Sequence, residues 1–128
     1  MKILLDTCVF LWITSDPPQL SRRAQALFLD KEQSLCLSVI SVAEMILKWR
    51  KGQLLFRSDP HVFIPHHCRL RGIELLNFDA PSALKLATLS LHHKDPFDHM
   101  IICQALTHNL TILTPDEHFR KYKVKVAW

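Results

Sequence analysis

Residues 1–13, MKILLDTCVFLWI, decide the fold of this chain. Residues 2–5 form a short apolar run, which predicts a buried strand, and residues 7–13 have the composition of a helix. Asp6 stands at the junction, and because desolvating a carboxylate there costs free energy, its presence favours a functional role. The chain therefore begins as a strand, an acid and a helix.

Strand and helix signals alternate along the rest of the sequence. Further strands are predicted at residues 34–38, 73–76, 110–113 and 124–126, and helices begin after Ser21, at Ser41, near Pro60 and after Asp79 and Asp95. Strands separated by helices, almost without hairpin signals, predict an α/β fold in which a parallel β-sheet is flanked by helices on both faces. A length of 128 residues predicts one domain spanning 1–128.

Composition excludes several classes of protein. Apolar residues make up 48% and charged residues 22%, which is typical of a folded globular chain. Gly52 and Gly72 are the only glycines, so neither a dinucleotide fingerprint nor a phosphate-binding glycine loop can be written. No apolar run approaches the ~18 residues of a membrane span, and Asp6 interrupts the first one. We therefore expect a cytoplasmic protein without a membrane partner.

Four acids are expected to meet at one edge of the predicted sheet. Asp6 follows a strand directly, and Asp116 lies two residues beyond the strand that ends at Leu113 or Thr114. Glu44 and Asp98 stand in the first turns of helices that follow strands. In open parallel sheets this edge, beyond the carboxyl ends of the strands, is where ligands bind. Carboxylates packed together repel one another and need protons or a cation, and oxygen ligands suit Mg²⁺ or Mn²⁺ rather than Zn²⁺. An ion held in this way can activate water for attack on a phosphodiester.

Each of these acids also has a structural explanation. Glu44 completes the capping-box pattern that starts at Ser41, and Asp95 is an expected N-cap before Pro96. Asp98 in a first helical turn favours the helix dipole. Only the four acids taken together indicate a metal site.

The motifs that surround these acids resemble those of the PIN domain. The resemblance rests on Asp6-Thr7 after an apolar strand, Glu44 after Ile40-Ser41-Val42, Asp98 before HMIICQAL, and the segment TPDEHF at 114–119. The segments HKDPFD at 93–98 and WRKGQL at 49–54 are similar to those of VapC-type toxins of toxin–antitoxin pairs.

The resemblance implies a Mg²⁺- or Mn²⁺-dependent endoribonuclease, commonly a homodimer, which a cognate antitoxin silences. It carries catalysis and metal binding onto Asp6, Glu44, Asp98 and Asp116, with Asp95, Thr7 and Thr114 as auxiliary residues that position carboxylates. His99 departs from the pattern, because an arginine is usual there, and Ala43 replaces a common aromatic residue.

A net charge of +4 favours a polyanionic partner such as RNA. Cations near the Glu44 helix are the candidates to bind RNA phosphates: Lys48, Arg50, Lys51 and Arg57. The same cations also fit an ordinary solvated helix face. A mean hydropathy of +0.08 with few polar loops predicts an exposed apolar face, which a homodimer would cover.

Two other classes of protein are weighed against the nuclease. A phosphoacceptor receiver-type signalling domain also places an Asp after a strand and binds Mg²⁺ there. Such a domain needs an acidic pair at the first strand end and a late strand-end lysine, but Leu5 precedes Asp6 and Thr114 occupies the late strand end.

A zinc-binding module could use two histidine-rich segments, residues 61–68 and 92–99. His66, His67 and Cys68 are consecutive and cannot share one helix face, because helical neighbours are three or four residues apart. We therefore interpret the histidines of both segments as surface residues.

Overall fold

A computed structural model describes residues 1–15 and 19–128 of the chain. In these residues five strands form one parallel sheet in the order β3-β2-β1-β4-β5. The strands are β1 (Lys2–Leu5), β2 (Ser34–Ser38), β3 (Glu74–Leu76), β4 (Thr111–Leu113) and β5 (Lys125–Ala127). The α-helices are α1 (Thr7–Ile13), α2 (Arg22–Leu29), α3 (Val39–Arg50), α4 (Pro60–Arg71), α5 (Ala80–Leu84) and α6 (Pro96–His108). Short 3₁₀ helices lie at Lys85–Thr88 and Glu117–Lys121.

The central strand β1 divides the core into two layers. Leu4 packs with Ile101 and Ile102 of α6 on one face of the sheet. Ile3 and Leu5 pack on the other face with residues of α1, α2, α3 and α4. Since alternate residues of a strand point to opposite faces, one apolar run supplies both layers. The predicted parallel sheet with helices on both faces is confirmed.

The winding of the sheet reverses between β1 and β4. From β1 the chain moves outward to β2 and β3, and then crosses to β4 and β5 on the other side. Leu5 pairs with Leu113, and the Asp6 N–H donates to the Leu113 carbonyl at 3.1 Å. The carboxyl ends of β1 and β4 therefore open into the crevice where α/β proteins bind ligands.

One predicted helix start is wrong. The helix α3 begins at Val39, and the Ser38 side chain caps it by accepting from the Ile40 N–H at 3.1 Å. Ser41 is therefore a buried residue inside the helix rather than its cap, and Glu44 lies more than a turn from the start. The capping box was misassigned because β2 runs into α3 without a loop.

No helix within residues 1–15 and 19–128 is both long enough and apolar enough to cross a membrane.

Candidate active site

Five carboxylates line one cavity of about 310 Å³ at the carboxyl ends of the strands. The lining acids are Asp6, Glu44, Asp95, Asp98 and Asp116. They come from the junction between β1 and α1, from α3, from the start of α6 and from the segment after β4. The structure therefore brings together all four acids named as metal ligands, together with the auxiliary Asp95.

Asp6 is held by a hydrogen bond that joins the two central strand ends. The Thr114 hydroxyl donates to Asp6 Oδ2 at 2.7 Å, and the Cys8 thiol donates to the same oxygen at 3.2 Å. The Thr114 oxygen also accepts from the Asp116 N–H at 3.0 Å. Burial raises the pKa of the Asp6 carboxyl, while the bonds from Thr114 and Cys8 act in the opposite direction. Thr114 thus positions one acid directly and a second through its backbone.

Glu44 is buried, and both of its carboxylate oxygens accept hydrogen bonds. Its Oε1 accepts from the Thr7 hydroxyl at 2.8 Å, and the Thr7 oxygen also lies 2.8 Å from the Ser41 hydroxyl. Lys48 lies one helical turn further along α3, and its ammonium group is 2.7 Å from Glu44 Oε2. This hydrogen bond raises the pKa of Lys48. Lys48 therefore neutralises a carboxylate of the site.

The burial of Asp98 and the negative charges around it disfavour its ionised form. Its pKa is raised to about 8, first by burial and then by repulsion from Asp95, Asp6, Glu44 and Asp116. Asp95 caps α6, since its Oδ1 accepts from the Phe97 N–H at 3.0 Å. The cap fixes the first turn of α6 and so directs Asp98 into the cavity.

A histidine and a tyrosine support Asp98. Tyr122 OH accepts from the His92 N–H at 3.0 Å and lies 2.8 Å from His93 Nδ1, while His93 Nε2 lies 3.1 Å from Asp98 Oδ2. We assign the phenol proton to the bond with Nδ1, which leaves Nε2–H to donate to Asp98. Burial lowers the pKa of His93, so the imidazole is neutral and the contact with Asp98 is a hydrogen bond rather than an ion pair.

Two more histidines hold His93 in place. His99 Nε2–H donates to the His93 carbonyl at 2.8 Å, and the His118 ring stacks on the His93 ring with centroids 5.1 Å apart. His99 is only 8% exposed, so the residue that replaces the usual arginine is a buried support. The interpretation as surface histidines is therefore wrong for His93 and His99. The sequence signal that could have indicated this supporting role is their position on either side of the Asp95-Pro96 helix start.

The predicted RNA-binding cations do not gather at the cavity. Lys48 lines it but is bonded to Glu44, whereas Arg50 and Lys51 lie exposed at the end of α3. Arg57 lines a different cavity of about 300 Å³.

The donor chemistry of the cavity fits a hard divalent cation. In the part of the chain that the structure describes, no three Asp, Glu, His or Cys side chains are grouped as a ready-made metal site. The acids are instead held by hydroxyl, thiol, ammonium and imidazole partners. Five carboxylates beside one lysine nevertheless leave excess negative charge, and a cation relieves such repulsion. Oxygen-only donors suit Mg²⁺ or Mn²⁺.

A protein-family model described as "PIN domain" matches residues 3–125. No curated protein matches the sequence.

Several solved structures share the fold over nearly the whole chain. VapBC2 from Rickettsia felis, bound to a DNA fragment from its promoter, is 18% identical with a TM-score of 0.72, over 99% of this chain and 98% of that one. FitAcB from Neisseria gonorrhoeae is 29% identical with a TM-score of 0.66, over 97% and 95%. VapBC-5 from Mycobacterium tuberculosis, from a family of toxin–antitoxin systems, is 19% identical with a TM-score of 0.60, over 98% and 95%.

The raised pKa of Asp98 predicts how stability depends on pH when no metal is present. Between its ordinary value of 3.8 and the folded value of about 8, the folded protein binds more protons than the unfolded chain. Its unfolding free energy therefore falls as pH rises through this window. Asp98→Asn removes this loss, so thermal unfolding in EDTA is expected to show the variant gaining stability relative to the wild type from pH 5 to pH 8.

The control for this measurement is Asp30→Asn. The pKa of Asp30 is lowered by its hydrogen bond from Gln33, so that carboxyl is ionised throughout the range and the difference in Tm should stay constant. A constant difference for Asp98→Asn as well would show that Asp98 is not protonated in the folded state at neutral pH.

Proposed function

This chain belongs to the PIN domain family, and from that premise we propose that it is a Mg²⁺- or Mn²⁺-dependent endoribonuclease, the toxin of a toxin–antitoxin pair. Family membership supports a nuclease of the toxin type. RNA as the substrate and the identity of the ion are our own proposals. The observation that carries them is the cavity at the reversal of the sheet, where five carboxylates meet and three of them are buried.

The proposed roles of the acids follow from their contacts. Asp6, Glu44, Asp98 and Asp116 would hold the ion, while Asp95 acts as the cap that directs Asp98. When bound, the ion would lower the pKa of a water and stabilise negative charge on the phosphorus oxygens. Thr114 keeps one Asp6 oxygen engaged at 2.7 Å and Thr7 does the same for Glu44 at 2.8 Å. These hydroxyls limit the directions in which the carboxylates can rotate.

The cavity is selective by charge. A phosphodiester is an anion, and five carboxylates repel it strongly at short distance. Lys48 cannot offset this repulsion, because its ammonium group is bonded to Glu44. Productive entry of the scissile phosphate therefore requires the cation, which makes the reaction strictly dependent on metal.

We propose a cognate antitoxin and a second copy of the chain as protein partners in the cytoplasm. The support is of two kinds: two of the structural neighbours named above belong to VapBC, a family of toxin–antitoxin systems, and large apolar side chains are exposed on this chain. Leu55 is 87% exposed and Leu84 is 74% exposed. Apolar surface of this kind is typical of protein contacts.

The receiver-type alternative has no supporting observation. At the end of β4, where a receiver carries a lysine, Thr114 is buried and bonded to Asp6. Family membership assigns the chain to another class.

The first prediction is metal-dependent RNA cleavage that requires the acid cluster. Purified protein is expected to cut tRNA or total RNA in Mn²⁺ or Mg²⁺ and to stop in EDTA. Asp6→Asn should lower the rate at least about a hundredfold, because ion stabilisation of the transition state is worth several kcal/mol.

Asp59→Asn is the matched control, since Asp59 is exposed and caps α4 away from the cavity, where Asn caps equally well. Cleavage that survives both EDTA and Asp6→Asn would contradict the proposal and indicate a contaminating nuclease.

A second prediction concerns the support of Asp98. His93→Ala removes the donor to Asp98, and partners of metal ligands typically contribute about 10- to 100-fold to affinity. We expect the Mn²⁺ affinity of His93→Ala, measured by electron paramagnetic resonance, to be about 10- to 100-fold weaker than that of the wild type. His93→Gln, which retains an N–H donor, should recover part of the lost affinity. Equal affinity in all three proteins would show that His93 has no positioning role.

A third prediction addresses the toxin role. Expression of the wild-type chain in a bacterium should arrest growth, and Asp6→Asn should not, although both proteins accumulate to the same level. Co-expression of the protein encoded in the neighbouring reading frame should restore growth. Normal growth of cells that produce active wild-type nuclease would remove the toxin assignment.

A further inference from the structure

A second cavity, of about 620 Å³, lies beside the acid cluster and has the opposite charge. Lys85, Lys121 and Lys123 line it, together with His92 and Tyr122, and its described lining contains no Asp or Glu. The lysines come from the 3₁₀ helix after α5 and from the segment before β5, so two distant parts of the chain build one basic surface.

A shallow hollow of about 590 Å³, lined by His92, His93 and Lys94, adjoins the basic cavity. His92 belongs to both the basic cavity and the hollow. His93 Nε2 lies 3.1 Å from Asp98 Oδ2, and its Nδ1 lies 2.8 Å from the Tyr122 hydroxyl. Only one imidazole ring therefore separates the wall of the basic cavity from a carboxylate of the acid cluster.

The lysines of this cavity are not held by carboxylates. Among the described residues, no ion pair involves Lys85, Lys121 or Lys123, and the contact of Lys121 is a long one, with its Nζ 3.4 Å from Nδ1 of the exposed His118. Lys48, in contrast, is bonded to Glu44. The acid cluster repels a polyanion, so a strand that places one phosphate there needs cations for the phosphates on either side.

We propose that the basic cavity binds the nucleotide adjoining the scissile phosphate of a single-stranded RNA. Its phosphates contact Lys121 and Lys123, and its base rests against the exposed imidazole of His92, which is fixed edge-on against Tyr122 with ring centroids 4.9 Å apart. The RNA strand then runs from the acid cluster over the hollow to the lysines, rather than along α3. This inference rests on the proposed function and places its substrate.

An acidic protein segment is the other ligand that lysines could hold. RNA is favoured because Tyr122 in the wall of the basic cavity reaches Asp98 of the proposed nuclease site through His93 alone, and because an exposed imidazole with hydroxyls at Thr88 and Ser90 matches a base and ribose.

The test measures RNA binding without cleavage. Fluorescence anisotropy of a short labelled single-stranded RNA is followed in EDTA between about 50 and 200 mM salt. Each lost phosphate contact lowers the salt slope by about 0.7 for a single strand, so Lys121→Ala with Lys123→Ala should lower it by about 1.4 and weaken binding. Arg50→Ala with Lys51→Ala removes the same charge from α3 and should leave the slope unchanged.

One further double variant and one further probe make the result decisive. Lys121→Arg with Lys123→Arg keeps the charge and should bind like the wild type, which separates charge from folding. A slope lowered only by the α3 pair would overturn the inference. Poly-glutamate that binds as tightly as RNA, with the same dependence on Lys121 and Lys123, would overturn it in favour of an acidic protein ligand.

The outcomes also separate this inference from the proposed function. If metal-dependent cleavage is found but the Lys121 and Lys123 changes leave binding intact, the nuclease stands and the placement of the strand is wrong. If RNA binds through these lysines but no RNA is cut with Mn²⁺, the basic cavity is an RNA-binding site and the nuclease is wrong.

Discussion

The hydrogen bond from the Thr114 hydroxyl to the buried Asp6 carboxylate is the interaction on which the site depends. It joins the ends of β1 and β4 at the position where the winding of the sheet reverses. An isolated ionised carboxylate at this depth would be costly, because burial removes it from water. The hydroxyl and the neighbouring thiol supply part of the compensation, and a cation would supply the rest. The centre of the sheet is thus stabilised by contacts that also prepare it for chemistry.

The sequence predicted the strands well because each apolar run has an unambiguous end. Leu5 is followed by Asp6, and Leu113 by Thr114 and Pro115, so the strand ends and their acids could be placed together. The start of α3 was misplaced because Ser38 and Ser41 are both good caps, and only the direct passage from β2 into the helix decides between them. The sequence pattern pointed to Ser41 alone, because Ser38 was assigned to the strand.

The acids of the candidate site were predictable, and the family resemblance also named Thr7 and Thr114, which contact Glu44 and Asp6, but the histidine and tyrosine that support Asp98 were not predicted. Asp6, Asp98 and Asp116 stand at element boundaries and Glu44 stands in the second turn of α3, and the alternation of strands and helices brings all four to one edge. Tyr122, in contrast, meets His93 across 29 residues of sequence, and no local pattern records that contact. The three lysines of the basic cavity were missed for the same reason. Lys85 and Lys121 are far apart in sequence and line one cavity only in the folded chain.

The order in which the chain is synthesised gives the Thr114–Asp6 contact a further meaning. Its partners are 108 residues apart, and Thr114 is itself held in register by β5, since its N–H donates to the Ala127 carbonyl at 3.1 Å. Closing so long a loop costs entropy, and the contact cannot form until both of its ends are present. During synthesis Asp6 leaves the ribosome long before Thr114 does, and until both are in place Asp6 has no partner at this position. The proposed nuclease would therefore be withheld from every partly folded copy, and the proposed antitoxin would need to recognise only the finished fold.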